Sequence, residues 1–250
     1  MDKSLPSYFG RVGSKSRLKD KIYRMMPPDF KTFVEPYVGG GAVMLGYKFK
    51  PGQKIVINDL DSELMKNYKI MKKGVRITPA ILARYNNQSA AFQQKILDSP
   101  SSGDIGYLVK SLVKYNTTFG NMGKGKVYRP RDLTNKLKKL DEYKDKLKHV
   151  TLLNRNAISV INKYNNAGTF LYLDPPYENS KDLYKKGGMD FEQLASTLRK
   201  FKGKFLLSIN DSRNIRKVFN GFKFRTTTDG GTGNAGLGEG TRKELFIKNY

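Results

Sequence analysis

The sequence predicts an α/β protein with a largely parallel sheet, interrupted by a helical segment. Two observations carry this. Strand–turn–helix units stand in tandem near the start, as "KTFVEPYVGGGAVMLGYKF" and "KIVINDLDSELMKNYKIM", and the pattern returns late with "TFLYLDPPY", "MDFEQLASTLRKF" and "KFLLSIND". Such alternation is how a sheet covered by helices reads in sequence. Between these blocks, residues 75–149 are dominated by helical patterns. The chain is therefore expected to divide into 1–74 and 150–250, two parts of one α/β domain, around an inserted helical domain, 75–149.

Taken in order, "LPSYFGRVGSK" reads as an aromatic, glycine-containing loop, and "SRLKDKIYRMM" as a helix with Leu18, Ile22, Tyr23 and Met26 on one face, stopped by Pro27-Pro28. The first strand leads into a glycine turn and a helix from about Ala42. The second, Lys54 to Ile57, leads through Asn58-Asp59 into a helix carrying Leu64, Met65, Tyr68 and Met71. In the insert, "AILARYNNQSAAFQQKIL" and "LTNKLKKLDEYKDKLKHV" read as helical, the latter with a stripe of Leu133, Leu137, Leu140 and Leu147. Between them lies "KYNTTFGNMGKGKVYRPR", residues 114–131, too rich in glycine and charge for a core. The tail reads as strands on either side of a glycine-rich loop.

The formal net charge is +25, from 47 Lys and Arg against 22 Asp and Glu. Solubility does not require that excess, so a polyanionic partner, nucleic acid, is the leading explanation; a generally lysine-rich surface is the bland one. Hydrophobic residues at 38%, with 15 Tyr and 14 Phe, suffice for an ordered core. With no cysteine and one histidine, His149, neither disulfides nor thiolate or histidine metal clusters can form, and no metal is expected. The N-terminal "MDKSLPSYFG" lacks the apolar stretch of a signal peptide, and no run approaches membrane-spanning length.

Two places carry chemistry. In "FVEPYVGGG", Gly39 and Gly41 allow a tight turn and close approach of backbone to a ligand. Asp59 ends the next strand, 20 residues beyond Gly39, where an acidic side chain accepts hydrogen bonds from the hydroxyls of an adenosine ribose. A capping role for Asp59 is the structural alternative. The last position of a GxGxxG pattern falls at Met44, which points to a nucleoside cofactor without a pyrophosphate. The second place is "LYLDPPY", an apolar strand ending in a carboxylate, two prolines and an aromatic ring.

These segments resemble, in order, the motifs of the Dam-like, D12-class DNA adenine-N6 methyltransferases. "YFGRVGSK" is similar to the amino-terminal cofactor motif, with Ser14 in place of the usual second glycine. "FVEPYVGGGAV" resembles the motif that holds the methionine part of S-adenosylmethionine, "VIND" the ribose motif, "LYLDPPY" the catalytic motif, and "TRKELFIKNY" the last strand. The resemblance implies a Rossmann-like, mixed-sheet class I methyltransferase fold with a mainly helical recognition insert. It implies S-adenosyl-L-methionine as cofactor, held by Tyr8, Gly13, Lys15, Glu35, Pro36, Gly39, Gly41, Asp59 and Asp174, with Lys15 toward the methionine carboxylate. Stretch 114–131 falls where the family keeps its target recognition, so Asn116, Phe119, Lys124, Lys126, Tyr128, Arg129 and Arg131 are expected at double-stranded DNA. The region 151–160 lacks the family's usual acidic residue near the cofactor adenine. Cytoplasm or nucleoid, in a host or of viral origin, is the expected place, within or outside a restriction-modification system, as monomer or dimer.

Adenine N6 is a poor nucleophile because its lone pair is delocalised into the ring. Asp174 is expected to accept one N6 hydrogen, and the Pro175 carbonyl a second, while Pro175 and Pro176 stiffen the loop. Tyr177 is expected to supply the surface for a base flipped out of the duplex, a task that needs its ring and not necessarily its hydroxyl. Cytosine-N4 methylation, RNA adenine-N6 methylation and a non-catalytic DNA-binding role are the competing readings. A serine in place of Asp174 would fit the cytosine enzymes better, and the intact Gly39, Asp59, Asp174 and Tyr177 weigh against decay.

Overall fold

The computed structural model describes residues 4–10, 13–119, 123, 125–178, 189–229 and 242–250. Seven strands form one sheet: β1 (Thr32–Glu35), β2 (Lys54–Asn58), β3 (Val150–Leu153), β4 (Thr169–Leu173), β5 (Lys204–Asn210), β6 (Lys223–Asp229) and β7 (Arg242–Lys248). Their order is β3-β2-β1-β4-β5-β7-β6. Strands β2, β1, β4 and β5 are parallel neighbours, whereas β7 runs antiparallel between β5 and β6. This mixed, Rossmann-like sheet is the fold expected from the sequence. Strand order reverses between β1 and β4, and in such sheets ligands bind beyond the carboxyl ends of the strands at that point.

Every residue of β4, Thr-Phe-Leu-Tyr-Leu, is buried. A central parallel strand covered on both faces needs such an unbroken apolar run. One side of its core comes from α9 (Ala157–Lys163), α10 (Phe191–Arg199) and α11 (Arg213–Val218), through Val160, Ile161, Leu194, Leu198 and Ile215 against Leu171, Leu207 and Ile247. Asp190 starts α10 by accepting the Gln193 amide at 2.8 Å, and Ser212 starts α11 by accepting the Ile215 amide at 3.1 Å.

Packing divides the chain into two units. One comprises Met1–Lys19, Gly39–Phe49 and Asp61–Leu152; the other comprises Asp20–Val38, Lys50–Leu60 and Leu153–Tyr250. This grouping places the N-terminal loop and the glycine turn with the helices, whereas the sequence patterns cut the chain into consecutive segments. The physical reason is an aromatic cluster within the first unit. Tyr8 meets Tyr143 edge-on at 4.9 Å, and Phe9 meets Tyr68 and Tyr115 at 6.3 and 6.0 Å.

Helical segments form where expected but break more often. The first ordered turn, Lys15–Arg17, is a 3-10 helix, followed by α1 (Lys19–Met25). The segment after residue 79 splits into α4 (Pro79–Arg84) and α5 (Ala90–Asp98), because Ser89 accepts the Phe92 amide and starts a new helix. The leucine-striped segment splits at Lys139 into α7 (Thr134–Lys138) and α8 (Leu140–Leu147), yet all four leucines of the stripe are buried. The remaining helices are α2 (Ala42–Gly46), α3 (Ser62–Lys73) and α6 (Gly103–Thr117). Leu64, Met65, Tyr68 and Met71 of α3 are buried as its spacing predicts. The glycine-rich loop of the tail lies outside the described residues, between β6 and β7. No helix among the described residues is long and apolar enough to cross a membrane.

Candidate active site

The parallel register brings the ends of β1, β2, β4 and β5 to one edge of the second unit. Val34 pairs with Leu171, Glu35 with Ile57, and Leu173 with Leu207. Asp174, immediately after β4, therefore stands beside Ser208 on β5. The Ser208 hydroxyl is directed at Asp174 Oδ1 over a long 3.5 Å, and Ser208 in turn meets the buried Tyr172 hydroxyl at 3.1 Å. Asp174 is half-buried and Pro175 buried. A half-buried carboxylate at the strand-order reversal, oriented from behind by a serine, is placed to accept a hydrogen bond from a ligand.

The loop after Asp174 is fastened to its neighbours. The Tyr177 hydroxyl donates to Glu244 Oε2 at 2.6 Å. The Glu178 amide donates to Asn210 Oδ1 at 3.3 Å, and the Glu178 carboxylate accepts from the Ser212 hydroxyl at 2.7 Å and from Asn214 Nδ2 at 2.5 Å.

On the other side of the reversal, Asn58 ties the ends of β1 and β2 together. Its Nδ2 donates to the carbonyls of Pro36 and Arg155, both at 2.9 Å, and its Oδ1 accepts the Arg155 amide at 2.8 Å. Asp59 follows half-buried, close enough to Tyr37 that its charge, after burial, raises the Tyr37 phenol above its ordinary value. It does not cap α3; Asp61 does, accepting the Leu64 amide at 3.1 Å. The structural alternative for Asp59 is thereby removed. Glu35 and Pro36 are buried at the end of β1.

In the first unit, the glycines of the turn differ in what requires them. Gly39 has φ +48° and open space where a side chain would start, so its backbone is accessible to a ligand. Gly41 has φ +73°, and a Cβ there would lie 2.5 Å from the Tyr68 hydroxyl. That glycine serves the packing of the turn rather than ligand approach. Tyr68 donates to the Gly39 carbonyl at 3.0 Å, which holds the turn. Gly13 is in the left-handed region with open space around it, and Lys15 is buried, its Nζ donating to the Gly13 carbonyl at 3.1 Å. Tyr8 is wholly buried in the aromatic cluster, so its ring is core.

The stretch after α6 is held by α5 and by its own start. Thr118 and Val127 form an antiparallel bridge, the amides of Tyr128 and Arg129 both donate to the Thr117 carbonyl, and Val127 donates to Gln94 Oε1 at 2.8 Å. Buried Gln93 binds the Arg131 backbone through both its amide atoms. On this support Phe119 and Tyr128 are 44% and 66% exposed and pack edge-on, with ring centroids 5.2 Å apart. Lys126, Arg129 and Arg131 are exposed beside them; Lys124 lies outside the described residues. Asn116 is placed otherwise than expected. It is 8% exposed, its Oδ1 accepts from the Gly10 amide at 3.1 Å and from Lys136 Nζ at 2.9 Å, and its Nδ2 donates to the Leu112 carbonyl. Its polar atoms are spent within α6 and in joining it to the N-terminal loop and Lys136. Lys136 completes that bracket through the carbonyls of Ser7 and Tyr8.

Sequence reasoning missed Asn58, Lys136, Glu178 and Glu244. A carboxylate within the apolar run "ELFI" was the available signal for Glu244. Among the described residues, no group of three or more His, Cys, Asp or Glu side chains is arranged to hold a metal ion.

The chain is similar to known proteins over most of its length. The chain is 26% identical to the type II methyltransferase M.CviBI of Paramecium bursaria Chlorella virus NC1A, over 85% of this chain and 84% of that protein. It is 26% identical to M1.LlaDCHI of Lactococcus lactis subsp. cremoris, over 96% and 93%, and 25% identical to M.MjaIII of Methanocaldococcus jannaschii, over 86% and 88%. A family model described as D12 class N6 adenine-specific DNA methyltransferase matches residues 12–229. The chain thus belongs to the D12 class of DNA methyltransferases, which transfer a methyl group from S-adenosylmethionine to adenine N6.

Proposed function

We propose that Asp174, Pro175, Pro176 and Tyr177 form the catalytic loop of this adenine methyltransferase. The observation that carries this reading is the position of Asp174, half-buried at the carboxyl end of the central strand β4, with Ser208 directed at one of its oxygens. The carboxylate accepts one hydrogen of the adenine amino group, and the Pro175 carbonyl accepts the other. Both interactions strengthen as positive charge develops on N6, which is where stabilisation accelerates transfer. Tyr177 is the platform for the adenine, which must leave the duplex to reach this depth.

S-adenosylmethionine supplies an electrophilic methyl group bound to a sulfonium. In the first unit Gly39 would hold it by backbone approach, with Gly13 and Lys15 as further contacts; in the second Asp59 would accept hydrogen bonds from its ribose, with Glu35 and Pro36 as further contacts. The open space at Gly39 and the half-buried carboxylate of Asp59 fit those tasks. Residues 75–149 act as the target-recognition domain. Within it Phe119 and Tyr128 contact bases, and Lys126, Arg129 and Arg131 contact phosphates or base edges of double-stranded DNA.

The test is Asp174→Ala. Methyl transfer to adenine in duplex DNA should be abolished, while calorimetric titration with S-adenosylmethionine should give near wild-type affinity. Substantial methyl transfer by the variant would remove Asp174 from the chemistry.

A further inference from the structure

Strand β7 carries a carboxylate inside the sheet. Glu244 is 3% exposed, pairs with Asn210 of β5 on one side, and pairs with Thr227 of β6 on the other. Because β7 is antiparallel to β5, its first residues lie at the edge where the parallel strands end, beside the catalytic loop. A buried carboxylate is costly unless it is hydrogen-bonded. The Tyr177 hydroxyl donates to Glu244 Oε2 at 2.6 Å, a short O–H···O bond.

We propose that Glu244 is a positioning residue for adenine methylation, holding the plane of the Tyr177 ring through its hydroxyl. The inference rests on the reading of Tyr177 as the platform for the flipped base. The ring turns about two side-chain torsions; it packs partly buried against the core, and its far end is fixed by the bond to Glu244. A short bond from its far end to a rigid central strand removes that freedom before the base arrives. Preorganisation of this kind lowers the cost of reaching the reactive geometry. The two neighbouring anchors, Asn210 on the Glu178 amide and Ser212 with Asn214 on the Glu178 carboxylate, fix the loop's exit but not the ring. The hydroxyl is therefore part of the platform, a role that the need for a stacking ring alone does not require.

The experiment compares Glu244→Gln, Glu244→Leu and Tyr177→Phe with the double variant Glu244→Leu/Tyr177→Phe in the full chain. Thermal unfolding, single-turnover methylation and the fluorescence of 2-aminopurine at the target position are measured for each. Glutamine keeps an acceptor for the hydroxyl, so Glu244→Gln should remain within a few-fold of the wild-type rate. The single variants Glu244→Leu and Tyr177→Phe each strand a polar partner and should melt earlier. The double variant strands neither and should regain much of the melting temperature, yet its single-turnover rate should stay roughly 10- to 100-fold down, the scale of a slight misplacement. A double variant that recovers rate together with stability would overturn the proposal, since the pair would then be structural only. So would a wild-type rate in Glu244→Leu. Tyr177→Ala separates the two readings. If it flips and methylates like wild type, the platform itself falls and the clamp with it. If it fails while Glu244→Leu is unaffected, the clamp alone falls.

Discussion

The two glycines of the β1–α2 turn should separate when each is replaced by alanine. At Gly41, with φ +73°, an L-residue is forced into the left-handed region at about 1–2 kcal/mol. The new Cβ would also lie 2.5 Å from the Tyr68 hydroxyl and 3.0 Å from Leu45 Cδ1. Tyr68 must move, and its bond to the Gly39 carbonyl, worth about 0.5–1.5 kcal/mol, is lost. The total of about 1.5–3.5 kcal/mol corresponds to a melting temperature lower by roughly 3–14 °C in a chain of this size. Gly39→Ala carries only the backbone part, because nothing lies within 4 Å of its Cβ. Its methyl group instead occupies the space through which the cofactor reaches the turn. Overpacking there by about 1–3 kcal/mol weakens S-adenosylmethionine binding about 5- to 150-fold. Differential scanning fluorimetry and calorimetric titration on both variants give the two rankings. Gly41→Ala should lose more stability, and Gly39→Ala should lose more cofactor affinity. Wild-type cofactor affinity in Gly39→Ala would refute the assignment of that open space to the ligand.

The exposed cations of the recognition stretch predict a salt dependence. Replacing Lys126, Arg129 and Arg131 together by alanine should make the slope of log affinity against log salt shallower by about 2–3, at roughly 0.9 per neutralised phosphate. Fluorescence anisotropy with a labelled duplex between low and moderate salt measures it, and an unchanged slope would move the DNA-binding surface elsewhere. Lys136 predicts a pH dependence of stability. Burial, with the charge of Arg131 added, pushes its ammonium down from 10.5 to about 8. Below pH 8 both folded and unfolded chains hold the proton and the burial penalty is fully present. Between about 8 and 10.5 the folded chain has released it while the unfolded chain has not, so stability rises with pH. Lys136→Met should flatten that part of the profile relative to wild type in urea titrations at pH 7.5 and 9.5; parallel profiles would contradict the shift.

What was legible in the sequence was local. A β4 whose run Phe170–Leu173 is hydrophobic, the glycine turn after β1 and the spacing of Leu64, Met65, Tyr68 and Met71 each declare an element without reference to anything distant. Asp59 and Asp174 were legible for the same reason, since each ends a strand whose end is visible in the pattern. Asn116 was misplaced because its surroundings in sequence are polar, basic and glycine-rich. Its partners are the Gly10 amide, 106 residues away, and Lys136, 20 residues on. A helix end among lysines gives no hint that the asparagine turns inward.

Glu244 and Lys136 were missed through the same blindness, but they differ in how they might have been found. Lysine is so common in this chain that a buried one leaves no trace in the pattern. Carboxylates are scarce, 22 of 250 residues, and most should be on the surface to offset the excess of positive charge. An acid flanked on one side by an apolar strand run is therefore informative here, because a strand between two others offers it no water. Among the described residues, the only buried carboxylates are Glu35 and Glu244. Glu35 ends β1, and Glu244 pairs with the last residue of β5. Both thus stand at the edge of the sheet where the parallel strands end. Elsewhere in this basic protein a buried acid would serve only the fold, at a cost in desolvation that leucine avoids. At that edge, the carboxyl group of Glu244 accepts a hydrogen bond from the Tyr177 hydroxyl and ties the ring to the sheet.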